Sequence, residues 1–294
     1  MLRILAWYGG EFRTMHLLGW IILFTALGGF LSALAASAFL VVPTRVRTRV
    51  LPHLVSFATG ALLSAALLGL LPHAVESAGL SKTHEIGLAL LGGLLLFFVL
   101  EKMVLWRHCH ADVCEVHVTP EPHAHAHGHG HNHNHAHDHG HDQRRDQASA
   151  TLILIGDGFH NILDGVLIAA AFMTDVHLGI VTAIAVCAHE IPQEVGDLAI
   201  LLNGGMRPLR ALTLNLLTSV TSVVGGVAAY FALAQVQGML PYAIALAASS
   251  FLYIAVADLI PGLHRKVDPG SGVWQLVYIV LGVAVISVSH SLAH

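Results

Sequence analysis

The chain has 294 residues, of which 55% are hydrophobic and 11% charged, with a formal net charge of −4 at pH 7 and a mean hydropathy of +0.70. A soluble domain is charged at roughly a quarter of its positions, so this composition excludes one and describes an integral membrane protein. Nothing in the charge balance points to a nucleic-acid partner, and three cysteines spread over the chain give no disulfide framework.

A helix needs roughly 20 apolar residues to cross a hydrocarbon core of about 30 Å. Eight segments meet that length: 16–42, 51–72, 86–106, 149–173, 177–202, 209–234, 241–261 and 272–292, with polar residues interrupting the fourth, fifth and seventh. The expected fold is an all-α bundle of eight transmembrane helices, one membrane domain in two blocks, 1–106 and 149–294, joined by a soluble segment at 107–148. The first fifteen residues carry Arg3, Glu11 and Arg13, so no cleavable signal peptide is expected ahead of the first helix. Trp7 and Trp20 read as interfacial anchors. The second helix has no ionisable ligand between Leu62 and Leu68, and ends in Leu71-Pro72-His73-Ala74. Gly92 with Gly93, and later Gly225 with Gly226, are expected at close helix contacts, while His53, His177 and His290 are expected to face water or headgroups near helix ends.

The soluble segment carries His at every second position: His123, His125, His127, His129, His131, His133, His135, His137, His139 and His141, separated by Ala, Gly, Asn and Asp. That composition cannot build a packed core, so disorder is expected. Imidazole is the commonest neutral metal ligand, which makes the tract a multi-site chelator for zinc, nickel or copper. Cys109 and Cys114, with His108 and His110 beside them, are either a soft-metal site or two reduced cytosolic thiols.

In the fourth helix Asp157, His160, Asn161 and Asp164 share one face at i, i+3, i+4 and i+7; in the fifth, His189, Glu190, Gln193, Glu194 and Asp197 do the same. Ionisable groups at membrane depth are costly, so two such stripes on consecutive helices mark a site rather than lipid-facing surface. Facing each other, they offer imidazole nitrogens with carboxylate and carboxamide oxygens, the donor mixture of zinc and other borderline divalent ions. Pro192 is expected to kink the fifth helix and free the carbonyl of Ala188 at this depth. Protons and metal then compete for the same atoms, so external acidification is expected to slow uptake.

Cytoplasmic loops collect Lys and Arg. With the N-terminus outside, Arg45, Arg47, Arg49, Lys102, Arg107, Arg144, Arg145, Arg207, Arg210, Arg265 and Lys266 fall on the cytoplasmic side and only Arg3, Arg13 and Lys82 outside. Eight helices, both termini outside and a cytoplasmic His-rich loop satisfy that asymmetry; one helix more or fewer scrambles it.

His-Asn-x-x-Asp-Gly at 160–165, His-Glu-x-Pro-x-Glu at 189–194, the His-rich loop between the third and fourth helices, Leu71-Pro72-His73-Ala74 and Leu252-Tyr253-Ile254-Ala255-Val256-Ala257-Asp258 together resemble the ZIP family of divalent metal transporters, over nearly the whole chain. The resemblance implies an eight-helix homodimer that moves Zn2+, and in some members iron, manganese or cadmium, toward the cytoplasm without ATP hydrolysis. It implies a site for one or two ions built from His160, Asn161, Asp164, His189, Glu190 and Gln193, with Glu194 a further candidate, an outer mouth near His73 and Glu76, and an inner path near Asp258 and His264. Asp157 and Asp197, on the same stripes, join that path. The implied location is the plasma membrane, the inner membrane in a bacterium, or an organelle membrane. Gln193 departs from the pattern, since many relatives of this motif class carry His there; its neutral carbonyl is a poorer zinc ligand.

Two other functions share parts of these motifs. Cation diffusion facilitator exporters also use His-x-x-x-Asp with a His-rich loop, but resemble six-helix proteins with a further cytoplasmic domain, and their loop follows the fourth helix. An intramembrane zinc protease needs His-Glu-x-x-His, and position 193 is Gln. No enzyme activity is expected.

Overall fold

The computed structural model describes residues 2–109, 139–203, 205–264 and 269–291, and among these every regular element is a helix. In chain order they are α1 (Leu2–Val41), α2 (Thr44–Ser64), α3 (Leu71–Ala78), α4 (Thr83–Cys109), α5 (His139–Thr174), α6 (Val176–Asn203), α7 (Pro208–Gln235), α8 (Leu240–Tyr253), α9 (Ile260–His264) and α10 (Pro269–Ser291). Widened, π-helical turns at Ala65–Leu70 and Ile254–Leu259 join α2 to α3 and α8 to α9. Each of those pairs is therefore one rod.

Eight stretches of the described residues are long and apolar enough to cross a membrane: His16–Phe39, Arg45–Ala78, Leu80–Met103, Leu154–Thr174, Val176–Leu202, Pro208–Gln235, Gln237–His264 and Gly272–Ser291. They match the eight expected segments one for one. The second and seventh run longer than 51–72 and 241–261, because a helix can overrun the hydrocarbon core into the aqueous layer, where Arg45, Arg49 and Glu76 are exposed. In the same way helix runs into the segment expected to be soluble, 107–148: α4 reaches Cys109 and α5 begins at His139, while the apolar spans stop at Met103 and resume at Leu154. From Gln143 to Ala148 all but Asp146 are good helix formers, with no Gly or Pro among them. Residues 110–138, with His110, Cys114 and the tract from His123 to His137, lie outside the described residues, as do the side chains of His139 and His141.

The widened turns have a common cause. Leu71 precedes Pro72 and Ile260 precedes Pro261; in each case the residue before the proline donates its N–H five residues back, to the carbonyls of Ala66 and Ala255. A proline has no N–H and its ring displaces the carbonyl four residues back, and one extra residue in the preceding turn absorbs that misfit. Pro192, where a kink was expected, leaves α6 without a change of helix type. The two widened turns meet the same part of the bundle: the first packs on α8 and α6, the second on α2.

Helix α6 lies at the centre, against α1, α2, α5, α7 and α10. Its neighbours come close because the core is small: Ala169, Ala170, Ala171, Ala245, Ala247 and Ala248 are fully buried. The tightest crossing, α5 on α7, runs over Gly165, where a Cβ would meet the Ser222 carbonyl and the Gly226 nitrogen, and Gly225, where it would meet the Ile162 carbonyl. Gly93 likewise leaves no room beside Ser249, whereas Gly92, paired with it in the sequence reading, has nothing within 4 Å. His53 also departs from expectation, stacking on Tyr278 with ring centroids 4.7 Å apart instead of facing water.

Candidate metal centre

The short link between α5 and α6 sets the two polar stripes side by side. Asp175 closes it by accepting the N–H groups of His177 (2.8 Å) and Leu178 (3.0 Å), a carboxylate N-cap that starts α6 at once. The helices then pack antiparallel, and His160 meets His189.

Four side chains converge. His160 Nε2 lies 3.1 Å from His189 Nε2, 3.3 Å from Glu190 Oε1 and 3.8 Å from Asp164 Oδ2. His189 Nε2 lies 3.3 Å from Asp164 Oδ2 and 3.7 Å from Glu190 Oε1, and one ligand atom from each of the four residues falls within 4.8 Å of all the others. A tetrahedral ion with bonds of about 2.0–2.1 Å has ligand atoms about 3.3 Å apart. The measured edges scatter around that value.

Orientation and burial agree with the distances. His189 Nδ1 lies 3.3 Å from the carbonyl of Ala185, which can only accept, so Nδ1 carries the proton and the lone pair is on Nε2, inside the group. This backbone tether is the usual support of a metal-binding imidazole. Asp164, His189 and Glu190 are essentially fully buried, and His160, with 23% of its side chain exposed, is the member that opens the group to its surroundings. Among the described residues, no amide, hydroxyl or backbone N–H donates to the carboxylate oxygens of Asp164 or Glu190, which face the two imidazoles. Two buried carboxylates whose neighbours are only two imidazoles are costly alone and complementary to a divalent cation.

The remaining expected residues are placed differently. Asn161 is buried and donates from Nδ2 to Asp157 Oδ1 (2.9 Å) and to the Asp157 carbonyl (3.2 Å), so these two form a polar pair within α5. Glu194 turns toward α7, where it accepts hydrogen bonds from Asn215 Nδ2 and Ser219 Oγ, the latter at 3.0 Å. Asn215 and Ser219 were not anticipated; their signal was a polar i, i+4 pair inside an apolar helix. Gln193 and Asp197 are half-buried on α6, His73 is half-buried on α3, and Glu76, Asp258 and His264 are exposed.

The family model described as ZIP zinc transporter matches residues 13–290. Curated relatives include the zinc transporter foi of Drosophila melanogaster, 38% identical over 141 residues (47% of this chain, 20% of the relative). The zinc transporter ZIP13 of Mus musculus is 30% identical over 250 residues, 80% of this chain and 68% of the relative. The zinc transporter ZIP10 of Danio rerio is 35% identical over 133 residues, 43% of this chain and 16% of the relative. The chain thus spans a fifth or less of foi and ZIP10, and about two thirds of ZIP13. With a family match covering almost all eight spans and the His160–His189 group, the chain belongs to the ZIP zinc transporter family.

Proposed function

We propose that this multi-pass membrane protein carries Zn2+ toward the cytoplasm through the group formed by His160, Asp164, His189 and Glu190. The observation that carries the proposal is the convergence of their four side chains, with five pairwise separations of 3.1–3.8 Å and ligand atoms all within 4.8 Å of one another. Two neutral imidazoles and two carboxylates compensate a double positive charge completely, so the loaded group is neutral at a depth where net charge is expensive. A borderline ion there exchanges hydration oxygens for nitrogen and carboxylate ligands, and a more strongly hydrated hard ion such as Mg2+ gains less from imidazole. Fe2+, Mn2+ and Cd2+ are secondary substrates.

Asn161, Gln193 and Glu194, with Asp157 and Asp197, flank the group along the two stripes and serve a second ion or its passage. His73 and Glu76 lie toward the outer mouth, Asp258 and His264 toward the inner one, and the His-rich loop receives ions on the cytoplasmic side. Both termini are outside, the working unit is a homodimer, and the plasma membrane, or the inner membrane in a bacterium, is the location. The exporter alternative is disfavoured by the family match.

The test is uptake of radioactive zinc into proteoliposomes of known orientation, with His160→Ala and Glu190→Ala beside the wild type and Mn2+ and Fe2+ as competitors. Uptake from the face bearing the N-terminus, reduced at least tenfold in both variants, is expected. A folded wild type with no flux for any of these ions overturns the proposal.

A further inference from the structure

Helix α7 carries a polar stripe inside an apolar span: Asn215, Ser219 and Ser222, at i, i+4 and i+7, are all buried. The first two take the whole carboxylate of Glu194, which is itself fully buried on α6. Asn215 donates from Nδ2 to Oε2, and Ser219 Oγ donates to Oε1 at 3.0 Å. The Thr218 hydroxyl of the same helix stands beside the carboxylate of Asp157. The acidic residues of the two stripes therefore divide into two sets. Asp164 and Glu190 receive no amide or hydroxyl donor and face the imidazoles, whereas Glu194 has a donor from α7 on each oxygen.

Position on α6 alone would not produce that division. Glu194 stands one turn beyond Glu190 on the same side of the helix, about 6 Å along its axis. Long side chains on a helix lean toward its N-terminus, which for Glu194 is the direction of Glu190. Without the donors of α7, a carboxylate buried at this depth would find its nearest compensation in a cation held by the group. With Glu194 turned in, the group would offer two imidazoles and three carboxylates in place of two and two. That set carries one negative charge more than a divalent ion balances, and its share of oxygen is larger. Oxygen-rich sets suit harder ions such as Mn2+, while imidazole favours Zn2+.

We propose that Asn215 and Ser219 are specificity-determining residues: by holding both oxygens of Glu194 on α7, they keep a third carboxylate out of the His160–His189 group and so favour a borderline ion over a harder one. This rests on the reading of that group as the ion site. Glu194 reaches an ion only at the loss of both hydrogen bonds, so the selectivity of the group is set by a helix that contributes no ligand to it.

Equilibrium binding tests this apart from transport. Radioactive Zn2+ bound to the purified full chain in detergent is displaced by Mn2+ or by unlabelled Zn2+, and the His160→Ala/His189→Ala chain supplies the background of the His-rich loop. In Asn215→Ala/Ser219→Ala the Mn2+ needed to displace half of the label, relative to unlabelled Zn2+, is expected to fall by about fivefold or more. Adding Glu194→Ala returns that ratio to the wild-type value, which a merely loosened fold would not do. An unchanged ratio in the double variant, or a shift that persists without Glu194, overturns the proposal. Ser219→Ala alone, expected to move the ratio the same way by about twofold, carries the test should the double variant fail to fold. Wild-type binding no greater than the background refutes the four-residue ion site and the proposal with it. Binding with the expected shift but no zinc flux in proteoliposomes sinks the transport reading alone and leaves the selectivity device standing.

Discussion

At the scale of single residues, the decisive atom is the imidazole Nε2. Because the Ala185 carbonyl fixes the His189 proton on Nδ1, an arriving proton and an arriving ion have one nitrogen to compete for. Asp164 and Glu190 add the same competition at their oxygens. Acid in the outer compartment therefore opposes loading: zinc uptake should fall several-fold as external pH drops from about 7.5 to about 5.5, the range in which imidazole ordinarily changes charge. Initial rates at fixed free zinc measure this, and a flat profile excludes proton competition at the loading step. All four converging residues were legible from the sequence, because helical periodicity puts ligand-type side chains on two stripes. What a stripe leaves open is which neighbour covers each part of it. Glu194, one turn beyond Glu190, lies where α7 packs and hydrogen-bonds Asn215 and Ser219, a partnership set by packing between helices that are not paired by any motif.

At the scale of helices, the site depends on how closely α5 lies on α7, since α5 holds His160 and Asp164 in place against α6. That approach rests on glycines at the crossing, with backbone directly opposite Gly165 and Gly225. Association of helices in lipid relies on such close packing in place of a hydrophobic driving force. Gly165→Ala should therefore force the rods apart, costing about 1–3 kcal/mol or more because the obstacle is backbone and not a side chain that can swing away. Gly92→Ala, with open space around it, should be close to neutral. Thermal unfolding of the two variants in detergent distinguishes them, and equal loss in both removes the crossing argument. The sequence marked both glycine pairs alike; spacing alone does not reveal which side of a helix meets a neighbour. In the same way Pro72, Pro192 and Pro261 were all visible, but only the first and last follow a widened turn, where α2 and α8 rods pass each other.

At the scale of the whole molecule, eight spans were legible because hydrocarbon thickness imposes a minimum apolar length, and the helix ends were less so because nothing comparable limits how far a helix runs into water. Helix α5 accordingly begins at His139, inside the segment expected to be soluble, and the ten-histidine tract of the sequence leads into the helix that carries His160. In the proposed transport reading, this continuity puts a multivalent chelator at the inner end of the helix that carries His160. Each imidazole binds weakly and reversibly, and their number raises the local capacity for ions without adding a step to the path through the bundle. Deleting residues 121–142 should consequently leave the initial rate of zinc uptake within about twofold of the full chain, while changing how the rate declines as zinc accumulates inside. Time courses in proteoliposomes preloaded with graded zinc measure both quantities. Loss of the initial rate in a deletion chain that inserts and folds would make the tract part of the path itself, and an unchanged response to internal zinc would leave it without a role in transport.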